Sequence, residues 1–388
     1  MPSAARSRRS KPEKSNDRSN SPPARKGLTY AQAGVDIEAG DRVVDLIGRS
    51  IKRTHGPRVL GQFGGFAGMF RLDYNESLFK RNYREPVLVA CTDGVGTKVK
   101  LAAELGIYNT VGIDCVAMNV NDLIVQGAEP LIFLDYLGLG KVIPERNAAM
   151  VEGVARGCEL AGCALLGGET AEMPDVYAPG DFDIAGFAVG VVELERAIDP
   201  TRVEKGDVIL GIASSGVHSN GYSLVRRIVK DAGLNLDRVY PALAGFESTI
   251  APKHEQPTLG DVLLEPTRIY AKTIVKLLRK YTVKKIVTGM AHITGSGLPG
   301  NVPRAFGNDL DAEIDLSSWD VPPIFEMLQK DGRVERTEMF NVFNMGVGYV
   351  LIVRPSFADS ILKHLKRAGE DAWVLGEIVK GTGQVQLK

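Results

Sequence analysis

Apolar runs that end in glycine, carboxylate and hydroxyl residues are the chemically suggestive feature of this chain. Residues 87–91, Val-Leu-Val-Ala-Cys, read as a buried strand, and Thr92, Asp93, Gly94, Val95, Gly96, Thr97 and Lys98 follow where it ends. Asp93 offers a hard oxygen to a phosphate-bound divalent cation, while Gly94 and Gly96 let backbone amides approach phosphate oxygens closely. The same pattern also makes a plain tight turn, with Asp93 capping the next helix. A second apolar strand, 208–213, leads into Ser214, Ser215, Gly216, Val217, His218, Ser219, Asn220 and Gly221, just before a helix expected from Tyr222. Small residues and hydroxyls at a helix start suit an anion, because the first-turn amides lack partners and the helix dipole is positive there. A strand over 285–290 repeats the theme, followed by His292, Ile293, Thr294, Gly295, Ser296 and Gly297 as a second anion site or another wall of the first. His218 is able to shuttle a proton near neutral pH, although an isolated histidine is as readily only hydrogen-bonded.

Carboxylates concentrate in the middle of the chain. Between Leu101 and Glu195 fifteen of them occur against three basic side chains, Lys141, Arg146 and Arg156. Carboxylates crowded without cations either face water or meet a metal. Glu169 and Glu172, set in Gly-Gly-Glu-Thr-Ala-Glu among small apolar residues, favour the metal. On a helix expected over 112–127, Asn119, Asp122 and Gln126 share a face away from the stripe of Ala117, Val120 and Ile124. Asp122 there either meets a metal or is solvated.

The elements that must position these residues alternate in type. A helix is expected over 41–54, started by Asp41, then a Gly-punctuated strand pair over 61–72. Strands follow at 131–137, 164–166 and 184–193, the last two flanking an acidic loop, with a helix from Pro144 towards Gly162. A boundary is placed near 195–206. Beyond it come an irregular insertion over 232–262, helices at 266–281 and 356–367, and strands at 346–353 and 372–379. This is an α/β chain, layered as α+β, with a basic extension at 1–27, one domain over 28–200 and another over 206–388.

Length and composition agree with two soluble domains: 388 residues, 47 basic and 47 acidic side chains, and no apolar run long enough to span a membrane. Residues 1–27 carry Arg6, Arg8, Arg9, Lys11, Lys14, Arg18, Arg25 and Lys26 against Glu13 and Asp17, with almost no large apolar residue, and are expected to be a solvated extension. Cys91, Cys115, Cys158 and Cys163 lack zinc or redox spacing, so reduced, buried thiols in a cytoplasmic protein are expected. His55, His254 and His364 are expected on the surface.

Taken in order, Thr92 to Lys98, Asn121-Asp122 with Gln126-Gly127-Ala128-Glu129-Pro130, Gly167 to Pro174, Gly216 to Leu224 and His292-Ile293-Thr294-Gly295 resemble the motifs of the phosphoribosylformylglycinamidine cyclo-ligases, also called AIR synthetases. The resemblance runs from about Leu28 to the end. The wider superfamily includes selenophosphate synthetase, thiamine-monophosphate kinase, HypE and formylglycinamidine synthetase, in several of which an aspartate stands where His292 does. The resemblance implies two α/β domains, with the first domains of a homodimer pairing strands and nucleotide near that interface. It implies ATP-dependent closure of formylglycinamidine ribonucleotide to aminoimidazole ribonucleotide, with ADP and phosphate released. By the same resemblance Asp93, Gly94, Gly96, Thr97, Lys98 and Asp122 would meet ATP, and Asp93, Asp122 and Glu169 would hold Mg2+. Ser214, Ser215, Gly216, His218, Ser219, Asn220, Gly295, Ser296 and Gly297 would meet substrate, and His218 or, second to it, His292 would carry a proton. No nucleic-acid or membrane partner is implied. One departure is Gln32, where some relatives carry lysine. A small-molecule kinase and a non-catalytic binding subunit are the rival readings.

Overall fold

Two successive runs of strands, split near residue 200, gather into two large sheets rather than one, with a separate two-stranded pair ahead of them. The computed structural model describes residues 37–60, 67–73, 82–251, 256–281 and 284–388. Helix α1 (Ile37–Thr54) starts one turn ahead of the expected Asp41, with Glu38 in the first turn where the helix dipole favours an acid. Strands β1 (Val59–Leu60) and β2 (Met69–Phe70) pair antiparallel, and residues 61–66 of the expected strand pair, like the basic extension, Gln32 and His254, lie outside the described residues.

The first large sheet is built from β3 (Pro86–Gly94), β4 (Glu129–Leu139), β5 (Ala164–Glu172) and β6 (Phe182–Glu193), interleaved with α2 (Lys98–Leu105), α3 (Asn109–Val125) and α4 (Pro144–Ala161). Its strand order is β3-β6-β4-β5, antiparallel except between β4 and β5. β5 takes in residues 167–172, which were expected as an acidic loop; they continue the strand because Gly168 leaves room for the Asp135 side chain of β4. Helices α3 and α4 cover one face and approach closely, since a Cβ on Gly153 would strike the Asn109 carbonyl and one on Gly157 would lie 2.7 Å from Val116. On the opposite face Leu88, Phe187, Tyr136 and Leu134 remain 61%, 41%, 40% and 36% exposed.

Short 3-10 turns at Leu194–Arg196 and Pro200–Arg202 lead to the second half. It contains β7 (Val208–Ala213), α5 (Tyr222–Asp231), α6 (Leu259–Leu264), α7 (Ala271–Lys280), β8 (Val287–His292), α8 (Gly297–Asn301), β9 (Leu310–Ile314), α9 (Pro323–Gly332), α10 (Arg336–Val342), β10 (Val347–Val353), α11 (Ala358–Arg367), β11 (Ala372–Lys380) and β12 (Val385–Leu387). The sheet order is β12-β9-β11-β7-β10-β8, with β10 buried along its whole length at the centre of the core. α6, inside the expected irregular insertion, is set by a Thr258–Asp261 capping box. β9 and β12 escaped the sequence pattern because their polar residues serve one another: buried Asp311 accepts from the Thr382 and Gln384 amides and from the Gln386 side chain. All four cysteines are free, three buried and Cys91 partly so. Two histidines expected on the surface are not free there: His55 Nε2 lies 2.9 Å from the Leu165 carbonyl, and His364 Nε2 is buried.

Candidate active site

β3 reaches past its apolar stretch, so Asp93 is still paired, to Gly186 of β6, when the chain turns away at Gly96, whose φ is 72°. The Asp93 side chain lies on the α3 side of the sheet, because a Cβ at its partner Gly186 would meet Asn119 and Phe133 there. Asn119 donates from Nδ2 to the Asp93 carbonyl at 3.1 Å. One turn along α3, Asp122 lies 2.8 Å from His292 Nδ1 at the end of β8; the His292 side chain is 1% exposed and that of Asp122 44%. Burial holds the Asp93 carboxyl above its ordinary range, and the negative charge of Asp122 pushes the same way while His292 opposes it. Asp93 Oδ1 accepts from the Gly94 amide at 2.8 Å rather than from α2, so it does not cap the following helix.

The second half faces this group with its two glycine loops. Asn220 and Gly295 are neighbours, the Asn220 Oδ1 lying 3.4 Å from where a Gly295 Cβ would stand. Ser219 Oγ donates to the Val95 carbonyl at 2.8 Å, and the Thr97 and Ser223 hydroxyls lie 3.2 Å apart, tying the loop after β7 to the loop after β3. Gly96, Thr97, Gly295 and Ser296 remain exposed around the junction. Of the Ser214 to Asn220 loop, expected to meet substrate, the side chains from Ser214 to Ser219 turn inward instead. Ser214 Oγ donates to the Gly216 carbonyl, Ser215 Oγ donates to the Pro266 carbonyl at 2.6 Å, and Gly216, Val217, His218 and Ser219 are buried. Gly297 is also buried, packed against the Phe340 carbonyl.

Three expected site residues therefore change character. Lys98, expected on ATP, is fully buried, with its ammonium on Asp114, the His218 carbonyl and the Glu265 carbonyl, so no hydrogen is left for phosphate. Glu169, expected to share a metal with Asp93 and Asp122, stands on β5, three strands over from β3 and on the opposite sheet face, since its neighbour Gly168 lines up with Asp135, Gly186 and Asp93. At about 4.8 Å per strand that row spans roughly 14 Å, too far for one ion within one chain. Among the described residues no three His, Cys, Asp or Glu side chains gather as a metal site. His218 is 1% exposed; its Nε2 accepts from the Ser215 amide at 3.1 Å, and burial pushes its imidazole well below the usual range, so it is neutral and built into the loop. A cavity of about 530 Å3 opens at the other end of the first sheet, beside Val191, Val192 and Glu193, and none of Asp93, Asp122 or His292 lines it.

Several residues outside the expected set complete the arrangement. Asn121 accepts from the Tyr270 amide at 3.0 Å and donates to the Arg268 carbonyl at 2.8 Å, while Asn344 donates to the Gly216 carbonyl at 2.9 Å. The signal for Asn121 was its place two turns from Asp114 on the same face of a largely apolar helix; Asn344, between Phe343 and Met345, gave none.

Comparison with known proteins agrees with this layout. The AIR synthase related protein N-terminal domain matches residues 81–192, and the corresponding C-terminal domain matches residues 204–388. A phosphoribosylformylglycinamidine cyclo-ligase of Geobacillus kaustophilus is 52% identical over 91% of this chain and 96% of its own length, and one of Cupriavidus metallidurans is 50% identical over 93% and 96%. Thiamine-monophosphate kinase from Stenotrophomonas maltophilia shares the fold at a TM-score of 0.62 and 17% identity, covering 89% of this chain and 96% of that one. The hydrogenase maturation protein HypE, in a structure with ATP, does so at 0.59 and 18%, covering 91% and 92%. From its strands, its loops and these relatives, the chain belongs to the AIR synthase related family, among the phosphoribosylformylglycinamidine cyclo-ligases.

Proposed function

We propose that this protein closes the imidazole ring of aminoimidazole ribonucleotide from formylglycinamidine ribonucleotide, using ATP and releasing ADP and phosphate, a ligase step of purine synthesis. The observation that carries the reading is the grouping of Asp93, Asp122 and His292 against two glycine loops, in a chain half identical to the cyclo-ligases along almost all of their length. An amide oxygen is a poor leaving group, and its conversion to a phosphate ester makes displacement by the amidine nitrogen possible. Such transfer chiefly needs positioning and neutralised charge. Asp93 and Asp122 fit a Mg2+ ion that keeps waters and phosphate oxygens as its other ligands, and a cation there would offset both the burial that chiefly holds the Asp93 carboxyl up and the neighbouring charge of Asp122. When bound, the ion would supply charge neutralisation on the phosphates. Half-buried Gly94 with the exposed turn at Gly96 and Thr97 would meet ATP, and Asn220, Gly295 and Ser296 the second phosphorylated reactant. His292, against Asp122 through Nδ1, holds that carboxylate in place, its own ring being about as buried as that of His218.

The apolar face that the described residues leave exposed on the first sheet supports a homodimer, in which a second copy would bury Leu88, Phe187, Leu134 and Tyr136. No helix among the described residues is long and apolar enough to cross a membrane.

The test is to incubate the protein with ATP, Mg2+ and formylglycinamidine ribonucleotide and to analyse the products. Equal amounts of ADP and aminoimidazole ribonucleotide support the reading. A stable phosphorylated open-chain product would make the protein a kinase, and no ATP-dependent product would refute both. Asp122→Asn is expected to lower kcat by about 100-fold with the fold intact by circular dichroism.

A further inference from the structure

Lys98 and Asp114 are both fully buried, yet neither touches the exposed part of the site. The Lys98 ammonium contacts Asp114 Oδ1 at 3.0 Å and Oδ2 at 2.8 Å, the His218 carbonyl at 2.9 Å and the Glu265 carbonyl at 2.8 Å. Asp114 also accepts from the Thr267 amide at 2.8 Å and the Thr267 hydroxyl at 2.6 Å. Glu265 in turn anchors residues 248 and 249 through its carboxylate. One point charge thus meets α3, the glycine loop after β7 and the segment after α6.

The loop needs such an anchor. His218 sits at φ 65° and Gly216 at φ 130°, and the carbonyls of both turn inward onto a buried donor, Lys98 for His218 and Asn344 for Gly216. α3 is the helix that carries Asp114 and, one and two turns further on, Asn119 and Asp122, which reach Asp93 and His292. Lys98 is therefore a charged link between the loop of the second half and the helix that holds the reacting side of the first, beside the contact of Asn220 Nδ2 with Met118 Sδ at 3.8 Å. Its three hydrogens meet acceptors from three elements, a geometry that a planar guanidinium does not reproduce.

We propose that Lys98 is a positioning residue, which fixes the Ser214 to Gly221 loop relative to Asp93 and Asp122 without touching nucleotide. The proposal rests on the function inferred above for its kinetic part only.

The variants are Lys98→Met alone and Lys98→Met with Asp114→Asn, which removes both buried charges. Urea unfolding, kcat, KM for ATP and amide hydrogen exchange over residues 214–221 are read on each. In the double variant the unfolding midpoint is expected to recover relative to Lys98→Met, while exchange over 214–221 quickens by about tenfold or more and kcat stays down by about 100-fold, with KM for ATP within about threefold of the parent. Parent-like exchange and kcat in the stable double variant would reduce the pair to a fold-holding role and overturn the proposal. A large rise in KM for ATP with kcat kept would place Lys98 on the nucleotide and also overturn it. Should the double variant not fold, Thr267→Val keeps both charges while loosening Asp114: faster exchange over 214–221 supports the proposal, and unchanged exchange refutes it. Because exchange is read without turnover, a parent lacking ring-closing activity would refute the proposed function and leave this link testable.

Discussion

Asp135 gives a sharp test of the electrostatics behind the site. It lies on β4 between Gly186 and Gly168, 8% exposed, in the same row across the sheet as Asp93 and facing the helices. Burial lifts its carboxyl to about 7, from an ordinary value of 3.8, with only its own amide hydrogen bond opposing. A carboxyl raised in the folded state costs nothing below its unfolded value, where both states are protonated. As pH rises the unfolded chain ionises first, so stability falls by about 1.4 kcal/mol per pH unit until the folded group also ionises near 7. Across that window the loss is roughly 4 kcal/mol. Asp135→Asn removes the titration at nearly constant shape. Urea unfolding of parent and variant from pH 4 to pH 9 should therefore show a stability difference that grows in the variant's favour up to about pH 7 and is flat above it, on top of any constant offset from the new amide. A difference independent of pH, or one that grows the other way, would show that Asp135 is ionised in the folded protein.

Other expectations follow from single contacts. Gly186→Ala drives a methyl into Phe133 and Asn119 behind Asp93, so it should lower stability by about 1 to 3 kcal/mol, read as a shift of the urea midpoint. Lys98→Met alone leaves the Asp114 carboxylate buried without its counter-charge and should cost about 3 to 5 kcal/mol by the same measurement. Phe187→Arg places a charge on the exposed sheet face and should leave the protein monomeric in light scattering after size exclusion where the parent is dimeric; a parent that is already monomeric would remove the proposed dimer from the account. Deleting residues 1–27 should leave kcat and KM unchanged, because the matched domains begin well after that segment.

The sequence by itself determined the parts whose signal is local. The β-branched run into Thr92, Asp93 and Gly94, the glycine loops after 213 and 292, and the ordered set of motifs that marks the family need no contact map, because strand propensity, turn chemistry and motif order are written in neighbouring residues. Tertiary structure decided what depends on partners far along the chain. It turned Lys98 from an expected phosphate ligand into a buried ammonium, since 16 residues separate it from Asp114 and 167 from Glu265. It moved Glu169 to another strand and the other face of the sheet, a matter of strand order and register that carboxylate counting does not contain. It buried both His218 and His292 and set His292 against a carboxylate, Asp122, that stands 170 residues away on α3. Charge and glycine show where chemistry is possible; desolvation and long-range pairing decide which of those groups can meet a ligand.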